Sequence, residues 1–358
     1  MIFQRHLKII AAIILAICVG FVIAWGIFIR SPLILNDHGL KFKVFPGSSF
    51  KTIAADLHSQ GILKHPLFFT LLFRWRGDTH HLKAGEYLFP KGATPNSMIE
   101  QMVTGRGMVN HSFIIVPGQT FYQVRQTLNK DEALQHSTKD LSNAAIMKLL
   151  GRPGLAPEGV FFPDTYYFME GSTDIAVLRR SYMAMQKKLN AAWSHRAQKL
   201  PFRNAYEALI AASIIVKEAD ISEELPIIAG VLTNRLRRDI KLQFDPTVIY
   251  GLGSRFDGTI YRRDLLADTP YNTYVHKGLP PTPISMPSMD AIDAVMHPDA
   301  NNYLYFVARG DGMTHQFSRT LADHNAAVAA SKKFHPWFFN GALIKSYLRK
   351  IFTKTIFN

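Results

Sequence analysis

An uncharged run near the start of the chain constrains it more than any other feature. From Ile9 to Ile29 the sequence reads IIAAIILAICVGFVIAWGIFI. As a helix this run spans roughly 32 Å, about the thickness of bilayer hydrocarbon. A cleaved signal peptide is the alternative, because Ala24-Trp25-Gly26 offers small residues at cleavage spacing. The run is longer than a signal core and continues through Ile27-Phe28-Ile29. The expectation is therefore an uncleaved transmembrane anchor over 9–29, behind a short cytoplasmic tail at 1–8. Charge leaves the orientation open, since Arg5 and Lys8 precede the span and Arg30, Lys41 and Lys43 follow it.

The remainder of the 358 residues is ample for two or three domains, and 47% apolar with 19% charged residues is a globular balance. A formal net charge of +14 points to a polyanionic partner: nucleic acid, an anionic membrane face or an acidic polymer. The basic residues are spread along the chain and form no nucleic-acid motif. Cys18, the single cysteine, lies inside the apolar run, so no intrachain disulfide can form. The histidines, His80-His81 included, lack the His-Glu-x-x-His spacing of a metal site, and Gly251-x-Gly253 lacks the Lys-Ser/Thr of a phosphate loop. Neither metal nor cofactor is expected. Ser48-x-x-Lys51 matches a serine acyltransferase pattern, but no Lys-Thr-Gly accompanies it and Ser49 reads better as a helix cap.

Beyond a polar connector at 31–39, Phe42-Lys43-Val44 alternates like a strand and enters Pro46-Gly47. Ser49 caps a helix with Ile53, Ala54 and Leu57 at helical spacing and Gly61 at its end; 66–73 reads as another helix. Lys83 to Tyr87 reads as a strand, and Gly92 to Gly105 as a turn and a helix around Met98, Ile99 and Met102. Val44-x-Pro46-Gly47-x-Ser49-Phe50 parallels Ile115-x-Pro117-Gly118-x-Thr120-Phe121, a reused strand, turn and helix cap. Two helices are expected from about Ala205 to Asp239, the second starting at Ser222 with Arg235, Arg237 and Arg238 mostly outside. A loop-rich stretch is expected from Leu242 to Pro298. Then come a strand around 302–308, a turn at Gly310-Asp311-Gly312, a partner strand at 315–318 and a core helix at about 321–332. The class is α+β: an N-terminal transmembrane helix, a small mixed domain and a larger, mainly helical one with a β-hairpin.

The segment from Ala208 to Val216 is apolar or small at every position, as in a helix buried on all sides, and it breaks abruptly into Lys217-Glu218-Ala219-Asp220. Helix pattern by itself reads these as a solvated helix end. The alternative is a carboxyl at the edge of a cleft, desolvated enough for its pKa to rise toward general-acid work. Lys217 opposes that shift, but neighbours in a helix face different ways, so its effect is expected to be minor. The loops that follow are rich in Gln, Asp, Asn, Thr and Tyr. Amides and carboxylates match sugar hydroxyls, and aromatic faces cover pyranose rings, although ordinary turn chemistry explains any one of these residues alone.

Several stretches together are similar to the endolytic murein transglycosylase family, also called YceG-like. They are Lys83-Ala84-Gly85-Glu86-Tyr87, Glu158-Gly159 with Phe162-Pro163-Asp164-Thr165-Tyr166, and Ala212-Ser213-Ile214 through Lys217-Glu218. Asn234-Arg235-Leu236, Leu242-Gln243 with Asp245-Pro246-Thr247-Val248-x-Tyr250-Gly251, Tyr271-Asn272-Thr273-Tyr274, Gly278-Leu279-Pro280-Pro281 and His324-Asn325 follow in the family's order. The resemblance covers about residues 40–330. Val216 departs from the Glu or Gln usual in the family, and Thr282 from a small residue.

The resemblance implies a LysM-like domain at 36–108 and a catalytic domain at 109–331. It also implies Glu218 as sole acid/base in a non-hydrolytic cleavage between N-acetylmuramic acid and N-acetylglucosamine, leaving a 1,6-anhydro end. Gln243, Asp245, Thr247, Tyr250, Tyr271, Asn272, Thr273 and Asn325 become candidates for binding peptidoglycan glycan strands. No metal is implied. The place implied is a bacterial inner membrane, single-pass, with the bulk periplasmic and peptidoglycan synthases as conceivable partners. Two rivals stay open: a muramidase-type hydrolase using a second carboxylate such as Asp245, and a membrane-tethered, non-catalytic peptidoglycan-binding protein. The stretch 332–358 is basic and amphipathic, with Leu343, Ile344, Tyr347, Leu348, Ile351 and Phe352 on one helical face. That face suits anionic lipid or packing on the catalytic domain equally.

Overall fold

A computed structural model describes residues 2–334, apart from 37, 78–81, 110, 220, 310 and 312. His80-His81, Asp220, the glycines of the 310–312 turn and the amphipathic face at 343–352 lie outside the described residues. The chain divides into two compact units, one of residues Met1–His111 with Tyr167–Gly171, the other of Ser112–Tyr166 with Ser172–Asn358. The whole is mixed α+β with an apolar N-terminal helix.

In the first unit, α1 (Ile2–Arg30) contains the apolar span. Then come β1 (Leu40–Val44), α2 (Phe50–Ser59), α3 (Pro66–Arg76), β2 (Gly85–Phe89), α4 (Pro95–Thr104) and β3 (Met108–Val109). The three strands form one antiparallel sheet, Phe42 facing Tyr87 and Tyr87 facing Met108. Its core is Phe42, Val44, Ile53, Leu57, Phe69, Phe73, Tyr87, Phe89, Met98 and Ile99, all buried. The helix starts are chemically marked. Ser49 accepts the Thr52 N–H, and Thr94 exchanges hydrogen bonds with Ser97 in a capping box.

In the second unit, β4 (His111–Ile114) leads to α5 (Phe121–Leu128), β5 (Leu134–Gln135), α6 (Asn143–Leu149), β6 (Thr165–Phe168) and β7 (Ser172–Thr173). The capping device of α2 recurs at α5. Thr120 takes the Gln123 N–H, and Gly118, like Gly47, has φ near +80°, where a side chain would strain the backbone. The helical body follows: α7 (Asp174–Ser194), α8 (Ala205–Ile215), α9 (Leu225–Arg237), α10 (Asp245–Leu252), α11 (Arg262–Leu265) and α12 (Met289–Met296). An antiparallel pair, β8 (Tyr305–Ala308) and β9 (His315–Ser318), precedes α13 (Leu321–Phe334).

At the centre is α8, buried from Ala208 to Ile215 and packed by α7, α9 and α12. Asn204 caps it by accepting the Glu207 N–H. Ser213 turns its polar atoms onto the chain, its hydroxyl accepting the Ile284 N–H and its carbonyl taking the Ser285 hydroxyl.

Four expectations need correction. The stretch 242–298 is not simply loop, because it holds α10, α11 and α12. Ser288 caps α12, whose Ile292, Val295 and Met296 are buried, but the proline-rich lead-in hides that helix in the sequence. The helix expected at Ser222 begins at Leu225, after a single 3-10 turn over Ser222–Glu224. No residue of α13 from Leu321 to Ser331 is buried, so it is not a core helix. Arg235, expected outside, is 7% exposed, because its guanidinium satisfies two carbonyls of the following loop and that of Leu304, just before β8.

Candidate active site

The end of α8 determines where Glu218 sits. After Ile215 the chain tightens, with the Lys217 N–H on the Ile214 carbonyl and the Glu218 and Ala219 N–H groups on the Ile215 carbonyl. Glu218 therefore stands in the turn just past the C-terminus of a buried helix and is itself partly buried. Desolvation pushes its carboxyl up to about 8. The negative charge of Asp245 adds to the rise, and Lys217 subtracts a lesser amount. The helix dipole, negative at this end, also disfavours the carboxylate. Lys217 points its Nζ at the Gly118 carbonyl, 3.3 Å away.

Asp245 opens α10, and its Oδ1 accepts the Tyr274 hydroxyl at 2.6 Å. The residue is exposed, yet protein crowding raises its carboxyl as well, against the Tyr274 hydrogen bond. Tyr274 is pushed up by burial first, then by Asp245, and feels Glu218 too. Glu218, Asp245 and Tyr274 thus form one electrostatic cluster.

Around it lies a scaffold of hydrogen bonds. The Arg235 Nε donates to the Leu304 carbonyl at 2.6 Å, and Nη1 to the carbonyls of Lys241 and Leu242 and to Gln243 Oε1. Gln243 is exposed, adopts φ +56°, and donates its N–H to the Thr273 carbonyl. Thr247 and Thr273 are buried and share a hydroxyl–hydroxyl bond of 2.8 Å. Asn272, 1% exposed, donates Nδ2 to the carbonyls of Asp264, Leu265 and Ala267 and accepts the Tyr274 N–H. These three residues shape the loop that carries Tyr274 and leave few polar atoms for a ligand.

Tyr250 and Tyr271 meet edge to face at 4.7 Å. The Tyr271 hydroxyl is bonded to Thr282 at 2.9 Å, so the residue that departs from the family pattern holds a candidate ring in place. The Tyr250 hydroxyl donates to Glu158 Oε2 at 3.0 Å. Asn325 is exposed on α13, next to His324, whose ring stacks 5.3 Å from Tyr305; the Arg235 guanidinium lies over that same tyrosine. The contacts that lead from this stretch toward Arg235 thus belong to His324 and Tyr305, not to Asn325 itself.

Sequence reasoning left Glu158, Tyr274 and Arg235 out of the candidate set. Glu158 is 6% exposed, its Oε1 accepting the Phe121 N–H at 2.9 Å. Burial pushes its carboxyl up to about 7, against the hydrogen bonds it receives. The only signal in the sequence was its place in a family motif, with nothing to say that it would meet Tyr250.

The arrangement offers a raised carboxyl at a helix end, a second carboxyl that reinforces it, and adjoining aromatic rings. That set suits protonation of an ether or glycosidic oxygen.

Comparison with known proteins agrees in extent with this description. The YceG-like family model matches residues 42–330. A Bacillus subtilis (strain 168) protein named endolytic murein transglycosylase is 29% identical over 300 residues, covering 78% of this chain and 81% of that protein. A Streptococcus pneumoniae serotype 2 protein of the same name is 29% identical over 314 residues, 79% of this chain but 56% of the relative's own length. The crystal structure of a yceG-like protein from Listeria monocytogenes matches with a TM-score of 0.50 at 26% identity, covering 81% of this chain and 99% of that one. The chain belongs to the YceG-like family.

Proposed function

We propose that this protein is a membrane-anchored, endolytic peptidoglycan lytic transglycosylase with Glu218 as its acid/base. One observation carries the reading: Glu218 stands in the turn just past the buried α8, where burial and the charge of Asp245 push its carboxyl up to about 8. The names of the Bacillus and Streptococcus relatives support the substrate class.

Glu218 donates its proton to the oxygen that links C1 of N-acetylmuramic acid to N-acetylglucosamine, and the C1–O bond breaks. The carboxylate then takes the proton of the muramoyl C6 hydroxyl while O6 bonds to C1. The products are a 1,6-anhydro end and a free N-acetylglucosamine hydroxyl, and Glu218 regains its proton. Ordinary glycosidases divide this work between two carboxyl groups. Here the substrate supplies the nucleophile, so one is enough. Tyr250, Tyr271, Gln243 and Asp245 are the cleft candidates; Thr247, Asn272 and Thr273 act by holding the loop.

The small unit acts as a LysM-like glycan-binding module, helped by a surface groove of about 570 Å³ that includes His38, Leu88, Pro90, Gln101 and Arg106. The anchor is the 22-residue apolar stretch Ile9–Arg30, with the bulk of the chain outside the cytoplasm. Cutting nascent strands there would end their elongation by synthases at the same membrane.

The test is mass spectrometry of products from peptidoglycan incubated with the protein and with Glu218→Gln. Anhydro-muramoyl ends that vanish in the variant are expected. Reducing ends would move the reading to a hydrolase in which Asp245, whose charge acts on Glu218, is the second carboxylate. Intact glycan with retained binding would leave a binding protein.

A further inference from the structure

The first unit carries an apolar face that its own core does not use. On α3, Leu67, Leu71 and Trp75 are 77%, 43% and 75% exposed. Their i, i+4, i+8 spacing places them on one side of the helix, opposite the buried Phe69, Leu72 and Phe73. Isolated exposed apolar residues are ordinary; three in a row on one helix face mark a surface that something covers.

The position of α3 says what covers it. Phe68, between the two faces, packs edge-on against Phe21, Trp25 and Phe28 of α1 at 6.0, 5.9 and 5.5 Å. Trp25, Phe28 and Ile29 also pack on the core of the same unit, so the end of α1 is built into it. Phe21 lies nine residues before Arg30, about 13 Å along a helix. One leaflet of hydrocarbon is about 15 Å deep. If α1 spans the bilayer up to Arg30, Phe68 sits at leaflet depth, and Leu67 and Leu71, its neighbours on the helix surface, lie beside it. The ends of α3 match this placement. Lys64, just before the helix, and Arg74, in its last turn, are exposed, and lysine, arginine and tryptophan are residues of the membrane interface.

We propose that α3 rests in the leaflet next to the anchor, with Leu67, Leu71 and Trp75 against acyl chains and Lys64 and Arg74 at anionic headgroups. The occupant of this face is the bilayer itself. The small unit is thereby seated on the membrane instead of swinging above it, and glycan bound to it is held close to the lipid surface. This rests on the reading of α1 as a membrane span.

The test uses the full chain in vesicles containing phosphatidylglycerol, in a Cys18→Ser background, since Cys18 is the only cysteine. Leu67→Cys, Leu71→Cys and Trp75→Cys are each labelled with an environment-sensitive fluorophore. Val22→Cys, on the exposed side of α1, reports the anchor, and Lys51→Cys, exposed on α2, reports water. All the substituted positions are exposed, so folding is preserved. The expected result is that labels at 67, 71 and 75 behave as at 22: blue-shifted, quenched by nitroxide lipids and shielded from aqueous iodide, while 51 shows the reverse. If 22 is quenched by lipid and 67, 71 and 75 follow 51, the anchor stands and this proposal falls. If 22 also follows 51, the anchor reading falls and takes the proposal with it.

Discussion

Glu218→Gln separates a carboxyl raised by its surroundings from an ordinary solvated one, because in the first case its effect on stability must depend on pH. Burial and Asp245 raise the Glu218 carboxyl from 4.5 to about 8. Between those values the native state holds a proton that the unfolded state has released. Its stabilising effect is therefore complete below about pH 4.5 and is lost as pH rises through about 8. A shift of that size corresponds to at most about 5 kcal/mol. Partial exposure and local relaxation reduce this to about 1–3 kcal/mol. Glutamine resembles the protonated acid and never ionises, so the variant escapes the loss. The two proteins should be about equally stable at pH 5, and the variant should gain with rising pH until about pH 9. At roughly 2–4 °C per kcal/mol for a domain of this size, the melting difference should grow by about 2–12 °C. Thermal unfolding of both proteins from pH 5 to 9.5 measures it, and Glu158, titrating in both, cancels in the difference. A melting difference that stays flat across that range would refute the reasoning, since an ordinary surface carboxylate behaves in that way.

The other predictions concern the neighbours of Glu218. Asp245→Asn removes the charge that helps hold Glu218 protonated, so the alkaline limb of the activity profile should move to lower pH while product ends stay anhydro; loss of all cleavage would instead mark Asp245 as an obligatory second carboxylate. Glu158→Ala strands the Phe121 N–H and the Tyr250 hydroxyl and should cost about 2–4 kcal/mol in denaturant unfolding, whereas Glu158→Gln, which keeps an acceptor, should cost less. Arg235→Ala leaves the carbonyls of Lys241, Leu242 and Leu304 without their donor and should cost about 3–5 kcal/mol by the same measurement.

What the sequence made legible was local. The caps at Ser49 and Thr120 and the turn at Gly47 answer to residues three or four positions away, so their pattern is visible in a short window. The run of apolar and small residues from Ala208 announced the burial of α8, and its abrupt end drew attention to Glu218. Long-range pairing stayed hidden. Glu158 meets Phe121 across 37 positions and Tyr250 across 92, and no periodicity encodes such meetings. Arg235 looked like a solvated arginine because helix pattern cannot show that a loop and a strand end would present three unpaired carbonyls to it. Asn272 looked like a sugar ligand for the converse reason. A buried asparagine that closes its own loop has the same one-letter signature as one that binds a hydroxyl.

The environment of Glu218 bears on why one carboxyl could perform both halves of a glycosidic cleavage. A carboxyl at its ordinary value is almost wholly ionised at neutral pH and has no proton to give. Held at about 8, it keeps its proton in about nine molecules of ten at pH 7. The same shift makes its conjugate base stronger by roughly three to four powers of ten, which matters when the proton to be removed belongs to a sugar hydroxyl. Burial, the helix C-terminus and Asp245 all act in this direction, and the one opposing charge, Lys217, has its ammonium drawn toward the Gly118 carbonyl. The general acid of a hydrolase is raised in the same way. What a hydrolase adds is a second, ionised carboxylate, and here the carboxyl of Asp245 is itself raised by burial. A single group that keeps its proton at neutral pH and is a stronger base once it has given it up is what the proposed reaction with an internal nucleophile asks of Glu218.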